Sequence, residues 1–262
     1  MTRNRGALID PEPKFCHQCG NLLTQKIPEG EDRPRGVCTS CGNIHYINPR
    51  VVVGTVIEND DRILLCRRAI EPAHGKWTPP AGFLEIGEST VAGAIRETWE
   101  EACAKVKVVQ PLVSIDLTRI GQIHMKYLAK MESADFEAGP ESLEVRWFNY
   151  SEIPWDELAF PVTHWSLRLR IADRALGQGR FHRGTIAWNQ KGSPLDIDNY
   201  EFCDLQSWPL LSTGGDAGQR GCHEIRKVQA ARESSGKAEL REGVILKDPT
   251  DPKSALTEAD TA

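Results

Sequence analysis

Long apolar runs are missing from this chain of 262 residues. None approaches the roughly 20 consecutive apolar residues that a membrane-spanning helix needs. The stretch before Phe15 holds no apolar signal core and is short for a transit peptide. Together these absences lead to the expectation of an intracellular, cytoplasmic protein with no membrane partner. An excess of positive charge is missing too. Lys and Arg number 32 against 37 Asp and Glu, a formal net charge of -5. That argues against a protein that coats nucleic acid through charge alone, so nucleic acid is not expected among the partners. Aromatic residues vanish from the end of the chain: residues 209–262 contain no Phe, Tyr or Trp and are rich in Gly, Ser, Lys, Glu and Asp. Such a segment cannot bury enough apolar surface to offset chain entropy, and it reads as a disordered tail.

Cysteine is present in quantity, at 8 residues. Cys66, Cys103, Cys203 and Cys222 are scattered, but "CHQCG" and "CTSCG" form a C-x2-C-x18-C-x2-C pattern from Cys16, Cys19, Cys38 and Cys41. In a chain not expected to be secreted, this favours a metal site over a disulfide framework. Each pair is followed by glycine, Gly20 and Gly42, which permits the tight turn beneath a tetrahedral ion. Four thiolates leave no open coordination position, so the ion is a structural Zn²⁺; a redox dithiol is the alternative. The segment resembles a zinc ribbon. It lacks a basic patch, since Lys14, Lys26, Arg33 and Arg35 are offset by Glu12, Glu29, Glu31 and Asp32. It reads as a stabilising cap or as the surface of a homodimer.

Five segments follow: a flexible N-terminus (1–13), the ribbon (14–48), a main domain (49–176), a mixed extension packing on that domain (177–208) and the tail (209–262). In the main domain, "VVVGTVIEN" and "RILLC" flank Asn59-Asp60-Asp61 and read as strands joined by a tight turn. "VKVVQPLVSIDLT" and "HMKYLAKM", separated near Gly121, and "LEVRWFN" are further strands, while "HWSLRLRIADRAL" has helical spacing. Strands before and after a helix at 90–102 imply an α/β domain with a mixed sheet.

That helix opens at Ser89 or Thr90, both suitable N-caps. Val91, Ala94, Ile95, Thr98 and Ala102 share an arc of about 100° and form the expected buried stripe. Glu97, Glu100 and Glu101 share another arc, on its flank. They crowd the helix C-terminus, where the macrodipole disfavours each carboxylate by roughly 0.3–1 kcal/mol. Glu97 and Glu101 also repel each other at i,i+4. A solvated acidic face is the plain reading, yet it gives no reason to accept that penalty. A hard divalent cation between the carboxylates does.

Gly82, Glu88, Arg96, Glu97, Glu100 and Glu101 stand in the order Gly-x5-Glu-x7-Arg-Glu-x2-Glu-Glu. The stretch "GFLEIGESTVAGAIRETWEEACA" resembles the Nudix box, the signature of hydrolases that act on a nucleoside diphosphate linked to another moiety. The resemblance implies an α/β/α sandwich with a mixed sheet and a catalytic Mg²⁺ or Mn²⁺. It assigns Glu97, Glu100 and Glu101 as metal ligands, with the Gly82 backbone close to metal and substrate. Glu101, Glu100, Arg96 and Glu141 are then the catalytic set. Arg96 orients a carboxylate, and Glu101 or a more distant Glu is the base. Glu88 is a structural or outer-shell acid, kept among the substrate-side candidates. Cys103 stands where the pattern has a glycine, a departure that costs roughly 1 kcal/mol if the residue is left-handed.

Many members of that family draw one more acid from outside the box. "GPESLEVRWF" offers Glu141, in a loop-like stretch, ahead of Glu144, which sits on a strand able to pair it with Arg146 or Arg68. Arg67, Arg68, His74 and Trp77 lie just before the box; Arg68 and Trp77, with Glu88 and Glu144, are the substrate-binding candidates. A ribbon before a Nudix domain narrows the branch. The S-Q-P-W-P-F-P-x-S motif of the NADH pyrophosphatase group is absent. "LLCRRAIEPAHGKWTPPAGFLEIGES", "EIPWDELAF" and "FHRGTIAWNQKGSPLDIDNY" are instead similar to the FAD pyrophosphatase group known from plants. The resemblance spans roughly 14–200 and implies a small dinucleotide substrate, FAD or ADP-ribose. NADH or an RNA cap is the alternative. A ligand sensor or nucleic-acid-binding protein that keeps the fold without turnover is the rival of another class.

Overall fold

A computed structural model describes residues 13–189 and 197–210. The expectations for the N-terminal residues up to 12 and for the tail from 211 onward, Cys222 included, fall outside them. The ribbon is a three-stranded antiparallel sheet in the order β1 (Leu23–Lys26), β2 (Arg35–Cys38) and β3 (Ile44–His45). Its two cysteine turns close on Gly20 and Gly42, whose N–H groups donate to the carbonyls of Cys16 (2.8 Å) and Cys38 (3.2 Å).

The larger sheet begins with β4 (Arg50–Asn59) and β5 (Arg62–Arg68), paired through the tight turn at Asp60. Then come β6 (Trp77–Thr78), β7 (Ala81–Phe83) and helix α1 (Thr90–Ala102). β8 (Val106–Leu117), β9 (Gln122–Met131) and β10 (Ser142–Asn149) lead into helix α2 (Pro161–Ala175), and β11 (Arg180–Trp188) and β12 (Tyr200–Pro209) finish it. The strand order is β10-β5-β4-β9-β8-β11-β12, with β6 on β5 and β7 on β4. β4–β9 and β8–β11 are parallel and the remaining pairs antiparallel, so the sheet is mixed as expected.

Alternation along the strands separates two faces. Ile63 and Leu65 of β5 join Val56, Leu112 and Leu128 in a cluster with Val162, Leu167 and Leu169 of α2. Leu64 and Cys66 point the other way, with Ile57 and Ala129, to Ala102 at the end of α1. One helix on each face makes the α/β/α sandwich. Segment 177–208, read as mixed, supplies β11 and β12, which continue the sheet through Pro209 rather than packing on it. Among the described residues no helix is long and apolar enough to cross a membrane.

Candidate active site

Ser89 caps α1, its Oγ accepting from Ala92 N–H at 3.1 Å. At the other end Cys103 is left-handed, with φ 47°, and its N–H donates to Trp99 O at 2.9 Å. The chain after β9 then folds over this end. Glu137 N–H reaches Ala102 O at 2.9 Å and Gly139 N–H reaches Glu101 O at 3.1 Å, so the carbonyls of Glu101 and Ala102 are satisfied. A Cβ on Gly139 would collide with the Glu100 carbonyl, its carbon only 2.8 Å away, so that crossing demands glycine.

The helix is rotated from the expected stripe. Val91 is 37% exposed, whereas Glu97 and Glu101 are buried. The reason lies in β7: Ala81 N–H donates to Glu101 Oε2 at 3.0 Å, and the bare Cα of Gly82 makes room for the Glu97 carboxylate. Burial pushes the Glu101 carboxyl up to about 7, opposed by that N–H and by Lys126 and Arg68. Burial also raises Glu97, against the pull of Arg96. Glu100 is half-exposed.

Arg96 binds the acids together. Its Nε and Nη2 donate to both oxygens of Glu88, at 3.1 and 2.7 Å. Its Nη1 reaches Glu97 Oε1 at 2.8 Å and Glu100 Oε2 at 2.9 Å, and Nη2 reaches Phe83 O at 3.0 Å. This paired engagement first lowers Glu88 to about 2 and holds the guanidinium charged. Glu88 thus serves Arg96, and it does not line the cavity described next.

A cavity of about 850 Å³ opens beside the acids, lined by Gly82, Glu97, Glu100, Glu101, Glu141 and Arg68 among others. The structure therefore gathers the box carboxylates, Glu141 and Arg68. Glu141 lies on the loop that crosses α1, and its charge acts on Glu97. Two expected contacts are not there. Trp77 is 2% exposed, packed edge-on against Phe148 with centroids 4.8 Å apart, because β6 faces the core. Glu144 lies opposite Arg67 on the strand and pairs with Arg146 at 3.7 Å, away from the cavity wall. Sequence reasoning missed Lys126 and His124. Lys126 is fully buried within reach of the Glu101 and Glu97 charges and held down to about 8 by desolvation. Its signal is a lysine two residues from His124 and two from Leu128, on the same face of β9.

The donor set fits a hard divalent ion. Two buried carboxylates and a third partly exposed one lie on one helix, and glycine clears the space between strand and carboxylate. The ribbon fits zinc. The four Sγ atoms lie within 4.8 Å of one another, and Cys16–Cys41, Cys19–Cys38 and Cys19–Cys41 measure 3.7, 3.4 and 3.5 Å. Tetrahedral Zn–S bonds of about 2.3 Å put sulfurs about 3.8 Å apart. The N–H groups of Ser40 and Cys41 point at Cys38 Sγ, both at 3.4 Å, and the Asn21 amide lowers the Cys19 thiol to about 6.

Comparison with known proteins agrees with this geometry. The NUDIX domain family matches residues 48–166, and the Nudix N-terminal family, a zinc ribbon, matches residues 14–47. A crystal structure of a NUDIX hydrolase from Nitrosomonas europaea is 47% identical, has a TM-score of 0.64, and covers 66% of this chain and 98% of that one. The NAD-capped RNA hydrolase NudC of Photorhabdus laumondii is 28% identical over 144 residues, 54% of this chain and 53% of the relative. That of Enterobacter sp. strain 638 is 31% identical over the same shares, 54% and 53%. The chain spans about half the length of these curated relatives. It belongs to the Nudix hydrolases, the variety with an N-terminal zinc ribbon. Enzymes of this family work with Mg²⁺ or Mn²⁺. RNA stands in the relatives' name, so excluding nucleic acid on net charge has no support. Net charge governs coating of a polyanion; it says nothing about one nucleotide end held in a cavity.

Proposed function

We propose that this chain hydrolyses the pyrophosphate bond of a dinucleotide, with FAD, cleaved to FMN and AMP, as first substrate and ADP-ribose as second. The observation that carries this reading is one continuous cavity walled by the box carboxylates and also by Phe160, Ile186, Trp188 and Tyr200. Acids alone suit a diphosphate; a second, aromatic wall suits the rings attached to it. The stretches similar to the plant-type FAD pyrophosphatases support the choice of FAD. A second reading, hydrolysis of NADH or of an NAD-capped RNA end, is favoured by the names of the curated relatives.

When bound at Glu97, Glu100, Glu101 and the Gly82 backbone, Mg²⁺ or Mn²⁺ supplies positive charge against the phosphates and acidifies water. Arg96 aims Glu97 and Glu100 through its Nη1 donor. Arg68, at the cavity wall, meets phosphate oxygens. Glu101 or Glu141 accepts a proton as a water oxygen attacks phosphorus; the bridging P–O bond breaks and the mononucleotide leaves with its electron pair.

The test is Glu100→Gln and Glu101→Gln, with wild-type and variant protein offered FAD, ADP-ribose, NADH, diadenosine polyphosphates and capped RNA. Each variant should lose Mg²⁺-dependent hydrolysis by about 10²-fold or more with the fold intact. Near-wild-type rates in both would sink the site assignment. Tight binding of ADP-ribose or RNA with no product would favour the sensor reading, and cleavage confined to capped RNA the second.

A further inference from the structure

The hairpin β11–β12 lies beyond residue 166, where the match to the NUDIX domain ends. It nevertheless reaches the cavity, through Ile186, Trp188 and Tyr200. From the turn between β8 and β9, Arg119 lays its guanidinium 3.9 Å from the centroid of the Trp188 ring. The same guanidinium engages the Tyr200 phenol. Trp188 and Tyr200 are half-buried and Arg119 is exposed, so these planes form a surface rather than a closed core.

His124, on β9, completes that wall. Its Nε2 lies 2.9 Å from Gln122 Oε1, which takes the ring proton there and leaves Nδ1 as an acceptor. Nδ1 is buried and has no partner among the described residues. Burial, with Lys126 nearby, holds the imidazole down to about 3, so it stays neutral.

We infer that the C-terminal hairpin adds a ring-binding subsite to the hydrolase cavity, in which one heteroaromatic ring of the substrate stacks on the Trp188–Arg119 pair beside Tyr200 and His124. This rests on the dinucleotide reading and deepens it. A diphosphate among carboxylates has no use for a tryptophan, a tyrosine and a planar cation. A flat ring attached to it does, since stacking on indole and guanidinium planes favours any π-face. Arg119 supplies donors for carbonyl or ring-nitrogen acceptors. The isoalloxazine of FAD and the adenine shared by FAD, NADH and ADP-ribose both have acceptors beside a donor. The experiment separates them.

Full-chain wild type, Trp188→Ala, Trp188→Phe and Arg119→Ala are compared for kcat and KM on FAD, NADH and ADP-ribose. FMN and AMP are titrated separately by calorimetry, and circular dichroism checks each fold. Trp188→Ala should raise KM about tenfold with kcat within about twofold, and Trp188→Phe should recover most of the loss. Loss on FAD alone places isoalloxazine on the subsite; equal loss on all three places adenine there. Unchanged KM on every substrate in both alanine variants overturns the inference. If wild type turns over none of the three, the dinucleotide reading fails by itself. The subsite is then decided by calorimetry: FMN or AMP bound by wild type and about tenfold more weakly by Trp188→Ala sustains it, and any other result overturns it.

Discussion

Gly82→Ala tests whether the strand was cleared for a carboxylate. Gly82, on β7, pairs with Val53 of β4 and carries no positive φ, so its value is space rather than backbone freedom. An added Cβ would lie 2.5 Å from Glu97 Oε1 and nearer still to the rest of that carboxylate, where ordinary contact begins at 3.4 Å. Glu97 must therefore retreat by about 1 Å. It can, being the end of a flexible side chain, but it then leaves Arg96 Nη1, which now holds it at 2.8 Å. Crowding of this kind costs about 1–3 kcal/mol of stability. Displacing a positioning group by about 1 Å costs about 10²-fold in rate. The expected result is a protein that folds, melts a few degrees lower, and shows kcat/KM about 100-fold down on whichever dinucleotide the wild type cleaves fastest. The rate should stay low at saturating Mg²⁺. The assay is product separation by chromatography beside a melting curve. A folded variant with kcat/KM within about threefold of wild type would refute the idea that this glycine exists for Glu97.

Further expectations follow from the same geometry. Glu101 is raised from its ordinary value to about 7, so the stability it lends is full in acid and is lost as pH rises through 7. Chelated protein should melt lower at pH 8 than at pH 5.5, and Mg²⁺ should raise the melting temperature more at pH 8; an equal Mg²⁺ gain at both refutes this. Cys103→Gly should stabilise by about 0.5–1 kcal/mol in denaturant titration, because φ is 47° there and glycine accepts it without a Cβ clash. Elemental analysis should find one zinc per chain, and Cys38→Ser should lose it; zinc retained in that variant would contradict the four-thiolate site.

The box was legible because its chemistry needs charged residues at fixed spacing, and no packing pattern imitates that. The strands from β4 to β5 and from β8 to β10 were legible because apolar runs end at tight turns, at Asp60 and Gly121. The rotation of α1 was not. A carboxylate reads as a solvent-facing residue, so Glu97 and Glu101 were put on the flank and Val91 in the core. Only Ala81 N–H and the empty side of Gly82, both tertiary facts, make burial acceptable. Trp77 failed in the opposite direction: closeness in sequence to the box said nothing about which way β6 points. The hairpin escaped because β11 breaks register between Arg183 and Thr185, and Gly184 interrupts the alternation where Phe202 packs beneath it.

The acidic helix end is answered within the protein only in part. The macrodipole is answered by the N–H groups of Cys103, Glu137 and Gly139, which take the carbonyls of Trp99, Ala102 and Glu101 out of play. Glu88, Glu97 and Glu100 share the single positive charge of Arg96. Lys126, buried and itself short of solvation, answers part of Glu101. Four box acids against these two cations leave an excess of two negative charges, with Glu141 adding to it from the loop. Arg68 at the cavity wall offsets one of these charges, and a further basic side chain at the centre would neutralise the site permanently. A divalent cation does so reversibly and keeps coordination positions for phosphate oxygens. Burial raises both Glu101 and Glu97, and a divalent cation held by these carboxylates would offset that cost while leaving room for an anionic substrate.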